Sequence, residues 1–276
     1  VSGLNMHYMD WGGSGMPVVA LHGAASSCHW YDLVSPYLRD NFRIIALDQR
    51  AHGKTDQPST GYDWDTLSKD VVGAMDQIGL RQASVVGHSW GASVALSIAT
   101  LFPNKVTALA IVDGGFSSSP RSPDMTWEDF KHRLRPRDIY GDRERYIGFL
   151  KDQFTHCWND QLEHIVMTMV RKDQDGTVHE RLHLSNQQQM LWAMWSDPIY
   201  LKLPLVRCPT LLVAAAGRQT VTNPEFMQRR MEQVETTHAA IVNSSVAWIQ
   251  DTGHDIGYEQ PMSLANALSD FLNDTL

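Results

Sequence analysis

At 276 residues the chain is long enough for one large domain, or for a core carrying an inserted lobe. Hydrophobic residues make up 43% and charged residues 20%, a globular balance that argues against disorder. The net charge of −8 argues against a nucleic-acid or anionic-membrane binder, which presents a basic surface, and leaves a neutral small molecule open as substrate. In chain order, Leu4–Met9 alternates as a strand does, and Trp11-Gly12-Gly13-Ser14-Gly15 makes a turn. Val18–Leu21, Arg43–Leu47, Ala83–Val86 and Val106–Val112 read as buried strands, with helices at Leu33–Leu38, Thr66–Ile78 and Ser93–Leu101 between them. This alternation predicts a mostly parallel sheet covered on both faces. The rhythm stops at Gly114-Gly115 and resumes at Pro209 with a strand at Thr210–Ala216. A helix at Pro224–Gln233, a strand at Ala240–Ile249 and a helix at Met262–Leu272 complete the pattern.

The intervening stretch differs in composition. Positions 117–203 hold 25 charged residues in 87, 12 basic and 13 acidic, so this stretch is close to neutral in sum. The dense run Glu128 to Arg145 reads as a solvated helical face. Ile165, Val166, Met169 and Val170, then Met190, Leu191, Met194 and Trp195, are apolar at helical spacing. The expected organisation is a core over 1–115 and 206–276, interrupted by a helical cap over 116–205. Cys28, Cys157 and Cys208 include no CxxC pair, so neither a disulfide framework nor a thiolate zinc site is expected. No apolar run has transmembrane length and no secretory signal is visible, which gives a cytoplasmic, reducing-compartment expectation. The chain opens on Val1 rather than Met, and whether a segment precedes it stays open.

Gly87-His88-Ser89-Trp90-Gly91 follows a buried strand and opens a helix. In that setting G-x-S-x-G forms a strained turn that presents the serine, and side chains two before or two after it would clash. A serine hydroxyl needs a base. His254 lies in Asp251-Thr252-Gly253-His254-Asp255-Ile256-Gly257, between the last strand and the last helix, on the same sheet edge as Ser89. His88 is expected to pack, and His52, in the turn Asp48-Gln49-Arg50-Ala51-His52-Gly53, to be structural. An oxyanion needs backbone N–H donors, and those of Ala24, in His22-Gly23-Ala24-Ala25, and of Trp90 could converge on a substrate carbonyl.

These elements together, Leu21-His22-Gly23 with Trp30 beyond it, the Asp48–Gly53 turn, the Gly87–Gly91 elbow and the His254 loop, resemble the α/β-hydrolase superfamily over nearly the whole chain. The resemblance implies an eight-stranded, mostly parallel sheet with a cap after strand six. The nearest likeness is to serine esterases, including those that open N-acyl-homoserine lactones. In most such enzymes the triad acid follows the penultimate strand, but here Ala216-Gly217-Arg218-Gln219-Thr220 has no carboxylate. Relatives that place the acid after strand six point to Asp113, with Glu225, Asp251 and Asp255 as rivals.

Met169, Trp192 and Trp195 are candidates to line an apolar acyl pocket. His179-Glu180-Arg181-Leu182-His183 matches H-E-x-x-H, but a zinc site needs one helical face and a third ligand, and an extended conformation fits this stretch equally well. Gly12–Gly15 lacks the spacing of a phosphate loop. The expected protein is therefore a serine hydrolase of a small-molecule ester or lactone, needing no metal or cofactor and binding no nucleic acid or membrane. Its oligomeric state is open. Epoxide hydrolases and dehalogenases of the fold use Asp where this chain has Ser89. Carbon–carbon hydrolases, haloperoxidases, hydroxynitrile lyases and a cofactor-free dioxygenase stay open, as does a binder without turnover.

Overall fold

The aliphatic runs Val18–Leu21, Ile44–Leu47, Ala83–Val86 and Leu211–Ala215 form buried strands. In a computed structural model, which describes residues 1, 3–116, 124–132, 139–218 and 223–275, the first half runs β1 (Tyr8–Asp10), β2 (Met16–Leu21), β3 (Phe42–Leu47), α1 (Trp64–Ile78), β4 (Ala83–His88), α2 (Trp90–Leu101) and β5 (Val106–Val112). The stretch between the two halves carries α3 (Trp127–Lys131), α4 (Arg143–Gln153), α5 (Asp160–Met167), the hairpin β6 (Val170–Lys172) and β7 (Val178–Glu180), and α6 (Leu184–Ser196). The chain then returns with β8 (Thr210–Ala215), α7 (Pro224–Ala240), β9 (Ser244–Ile249), α8 (Ile256–Glu259) and α9 (Pro261–Asp274).

Among the described residues, seven strands make one sheet in the order β1-β3-β2-β4-β5-β8-β9, with β1 antiparallel to β3 and every other pairing parallel. The resemblance implied eight. The residue pattern itself offered seven runs, each of which overlaps a strand, the first only at Tyr8–Met9, and among the described residues the interrupting stretch follows the fifth strand rather than the sixth. That stretch is also less purely helical than expected, because Val170 and Val178 are buried on a short β-hairpin closed by Asp175-Gly176.

Two other boundaries moved for local reasons. Leu33–Leu38 forms only a 3-10 turn at Ser35–Tyr37, since so short a segment closes i→i+3 bonds more readily than helical ones. The helix expected to end at Gln233 continues to Ala240 before β9 begins, over a Val-Glu-Thr-Thr-His-Ala-Ala stretch whose Thr237 is fully buried.

The sheet separates two apolar layers. Alternate residues Val19, Leu21, Ile45, Leu47, Val85, Leu109 and Ile111 face α1 and α2. Val18, Ala20, Ile44, Ala46, Val86, Ala110 and Val112 face α9 and Trp30. The interrupting stretch contributes to both layers, Met190 and Ala193 of α6 to the first and Leu162, Ile165 and Val166 of α5 to the second. Asp63 caps α1 by accepting the Thr66 N–H at 2.9 Å, and Gly79 ends it at φ 82°. Among the described residues, no helix is long and apolar enough to cross a membrane. Because β2, β4, β5, β8 and β9 run parallel, their carboxyl ends meet at one edge, where open α/β sheets place ligands.

Candidate active site

Ser89 sits between β4 and α2 at φ 55° and ψ −117°, a conformation that costs a non-glycine residue free energy and persists only when its surroundings impose it. The neighbouring glycines impose it by close approach. A Cβ on Gly87 would lie 2.3 Å from the Gly91 carbonyl oxygen, and one on Gly91 would lie 2.4 Å from the carbonyl oxygens of Leu21 and His22. Gly114, just past β5, packs so closely that its Cβ would lie 2.3 Å from the Ser89 carbonyl oxygen. Gly91→Val should therefore lower stability by roughly 1–3 kcal/mol or more, read as a fall in Tm. An unchanged Tm would contradict the close approach.

The loop after β9 brings His254 to this serine. Its Nε2 lies 2.9 Å from Ser89 Oγ, and its Nδ1 lies 2.7 Å from Asp113 Oδ2. Asp113 follows β5 at φ 46° and is buried, whereas the His254 side chain is 51% exposed and so reachable from solvent. Burial raises the Asp113 carboxyl, but the His254 hydrogen bond, the Arg230 guanidinium and the Ala215 N–H (2.9 Å) together hold it below the ordinary carboxylate value. Burial lowers the His254 imidazole, but its bond to Asp113 and the charge of that carboxylate outweigh this and raise it above the ordinary 6.5.

A base must be neutral to accept a proton. The acid limb of kcat/KM should therefore have its midpoint above 6.5, with activity rising as pH climbs through it. Removing the Asp113 charge should move that limb to lower pH. A limb that does not move would detach Asp113 from the titrating group.

The rivals for the acid lie elsewhere. Glu225 is exposed on α7 beside Arg229, and Asp251 is exposed. Asp255 accepts from Trp30 Nε1 at 3.2 Å, and burial raises its carboxyl. In the Ala216–Thr220 stretch, Gln219 and Thr220 lie outside the described residues.

The two histidines read as structural have definite partners. His52 accepts the Ala25 N–H on Nε2 at 3.1 Å, and its Nδ1 lies 2.9 Å from the Arg50 carbonyl oxygen. Burial and neighbouring His22 push its pKa down to about 3, so it is neutral and steadies the loop of Ala24 and Ala25. That loop lies against the serine, since a Cβ on Gly23 would be 3.1 Å from Ser89 Cβ. Ala24 is exposed there, and Trp90 is the first residue of α2, where backbone N–H groups lack helical partners. His88 stacks on Trp30 with centroids 4.1 Å apart, and its Nε2–H donates to the His254 carbonyl oxygen at 2.9 Å. Burial and the charge of His254 take its pKa to about 3.

Two further groups at the site carry no signal in the sequence. Arg230 reaches Asp113 from the middle of α7, where no local pattern marks it. Glu259, whose side chain is buried, pairs with the partly exposed Arg218 (2.7 Å) and accepts the Gly253 N–H at 2.8 Å, which fixes the backbone next to His254.

The expected pocket residues are less convergent. Met169 packs partly buried in the layer that contains Trp30. Trp192 is 50% exposed and meets Trp127 edge-on at 5.1 Å, and Trp195 packs near Trp127 and Phe130. These two tryptophans thus belong to an aromatic cluster joining α3 and α6. The H-E-x-x-H stretch is extended, with His179 and Glu180 on β7 and His183 before α6, so its histidines do not share a helical face. Among the described residues, His7, Cys28 and Asp48 place three ligand atoms within 4.8 Å of one another. Both Asp48 oxygens already accept backbone N–H groups there, from Cys28 (2.7 Å) and Lys54 (2.9 Å), which accounts for the cluster without an ion.

Comparison with known proteins agrees with this architecture. The chain is 41% identical over 155 residues to a non-heme chloroperoxidase of Streptomyces lividans, covering 55% of this chain and 54% of that one. It is 29% identical over 156 residues to a bifunctional esterase/perhydrolase of Acinetobacter calcoaceticus, covering 56% and 55%. These matches span about half the length of those relatives. The crystal structure of E-2-(acetamidomethylene)succinate hydrolase superposes with a TM-score of 0.77 at 21% identity, covering 98% of this chain and 95% of the other. The sequence profile of the alpha/beta hydrolase fold matches residues 16–261, and the chain belongs to the α/β-hydrolase family.

Proposed function

We propose that the protein hydrolyses a carboxylic ester or lactone through an acyl-enzyme on Ser89. The observation that carries the reading is the unbroken chain of contacts from Ser89 Oγ to His254 at 2.9 Å and from His254 to Asp113 at 2.7 Å. In this reading His254 Nε2 takes the hydroxyl proton as Ser89 Oγ attacks the carbonyl carbon. Asp113 holds the ring by Nδ1 and stabilises the imidazolium. The Ala24 and Trp90 N–H groups stabilise the oxyanion, each worth roughly 2.7–4 kcal/mol in the transition state. The imidazolium then protonates the leaving alkoxide. A water deprotonated by the same nitrogen releases the acid and frees Ser89, and with a lactone the alcohol stays attached to the acid.

The stretch 116–205 is read as a cap over this edge, with Met169, Trp192 and Trp195 read as lining an acyl pocket. Three free cysteines suit a reducing, cytoplasmic setting. A second reading has a specific support, the likeness to a chloroperoxidase and an esterase/perhydrolase. There hydrogen peroxide, in place of water, attacks the acyl-enzyme and leaves as a peracid.

A panel of p-nitrophenyl esters of graded chain length, beside N-acyl-homoserine lactones, tests the proposal. Saturable turnover of one class, with acid as product, is expected. Turnover that requires dissolved oxygen would replace hydrolysis by a dioxygenase. Cleavage only of carbon–carbon substrates would move the protein to that class. Peracid formed preferentially when peroxide is added would select the second reading.

A further inference from the structure

The H-E-x-x-H stretch forms no helical metal site, but it lines a cavity. Gln57, from the loop after β3, faces Arg171, His179, Glu180, Arg181 and His183 across about 430 Å³, a volume within the range of small-molecule sites. Arg171 and His179 in this lining share one carboxylate partner. The Asp173 carboxylate pairs with Arg171, and its second oxygen is 2.8 Å from His179 Nε2. Glu180 accepts the Gln187 amide.

Arg181 is different. Its Nε donates to the Val170 carbonyl oxygen at 3.0 Å, and among the described residues no carboxylate pairs with its remaining N–H groups. It is half-buried, and burial together with the like charge of Arg171 lowers its pKa from the ordinary value, although Asp48 opposes this. A guanidinium does not shed its proton under such pressure, so the shortfall is one of counter-charge. His183 precedes α6 without a side-chain capping bond, so the positive end of that 13-residue helix adjoins the same cavity.

We propose that this cavity binds a small anion carrying phosphate or carboxylate groups, with Arg181 as its main ligand and Arg171, His179 and His183 around it. A planar fork of N–H donors beside a second guanidinium suits bidentate recognition of such oxygens.

The test is calorimetric titration of the full chain at low salt with inorganic pyrophosphate and, separately, with citrate. Saturable binding of one anion per chain is expected, weakening as salt is added. Arg181→Gln should weaken it about tenfold or more and Arg181→Lys by less, because lysine keeps the charge and loses the fork. Preference for pyrophosphate would identify phosphate groups, and preference for citrate would identify carboxylates. An unchanged Tm and unchanged ester turnover in Arg181→Gln would show that the loss is local. If that variant fails to fold, Arg171→Gln takes its place, with weakened binding again expected. Absence of saturable binding by both anions, or binding unaltered in a folded Arg181→Gln, would overturn the proposal. So would saturable zinc binding, without anion binding, that disappears in His179→Ala and His183→Ala.

Discussion

Ser89→Ala should lower kcat for the preferred ester by roughly 10⁴–10⁶-fold, because removing the nucleophile from such a triad costs about as much as removing all of it. The residual rate would come from substrate binding and the oxyanion donors. The fold should be little affected. The substitution removes one hydroxyl whose partner, His254, is half exposed, and the backbone bond from the N–H at this position to the Val112 carbonyl (2.9 Å) remains. Stopped assays across the ester panel, with Tm as the folding control, read the result. Near-normal ester hydrolysis by the folded variant would refute the scheme.

Asp113→Asn should lower kcat by roughly 10³–10⁴-fold. Asn can present its NH₂ group to His254 Nδ1, which favours the tautomer carrying the proton on Nε2, the wrong one for accepting a proton from Ser89. It also removes the charge that stabilises the imidazolium as it forms. Two further partners of the carboxylate, Arg230 and the Ala215 N–H, would lose a charged acceptor, so some loss of Tm accompanies the change. Arg230→Gln separates the two effects. It should disturb stability while leaving the Asp113–His254 contact, and its kcat loss should stay well below that of Asp113→Asn. A loss under about tenfold in a folded Asp113→Asn would place the orienting acid elsewhere.

How legible the site was depends on how local its signals are. Ser89 was readable because the elbow encodes its own constraint. Gly87 and Gly91 are required by contacts of 2.3 and 2.4 Å that any Cβ would make. His254 was readable because its loop follows a strand whose direction the pattern already set. Asp113 was reached less directly, from the absence of a carboxylate at Ala216–Thr220 and from the resemblance, and the structure brings it to 2.7 Å from the His254 ring.

Arg230 and the Arg218–Glu259 pair were not readable. Their contacts are tertiary, between residues more than 40 positions apart or on an otherwise ordinary charged helix. The hairpin β6–β7 escaped because its strands have three residues each, too few for a two-residue period to declare itself. For Trp192 and Trp195 as pocket candidates the sequence offers residue type alone. Residue type does not distinguish a pocket wall from the aromatic cluster they form with Trp127 and Phe130.

The proposed mechanism requires a covalent intermediate at one oxygen atom, Ser89 Oγ, and trapping it is the most direct test. The enzyme is mixed rapidly with its preferred ester, quenched in acid within the first turnover, and its mass read intact and after proteolysis. The expected result is a mass increase equal to the acyl group, localised to the peptide containing Ser89 and missing in Ser89→Ala. Turnover that proceeds while Ser89 carries no acyl group at any time point, or an adduct on another residue, would contradict the account.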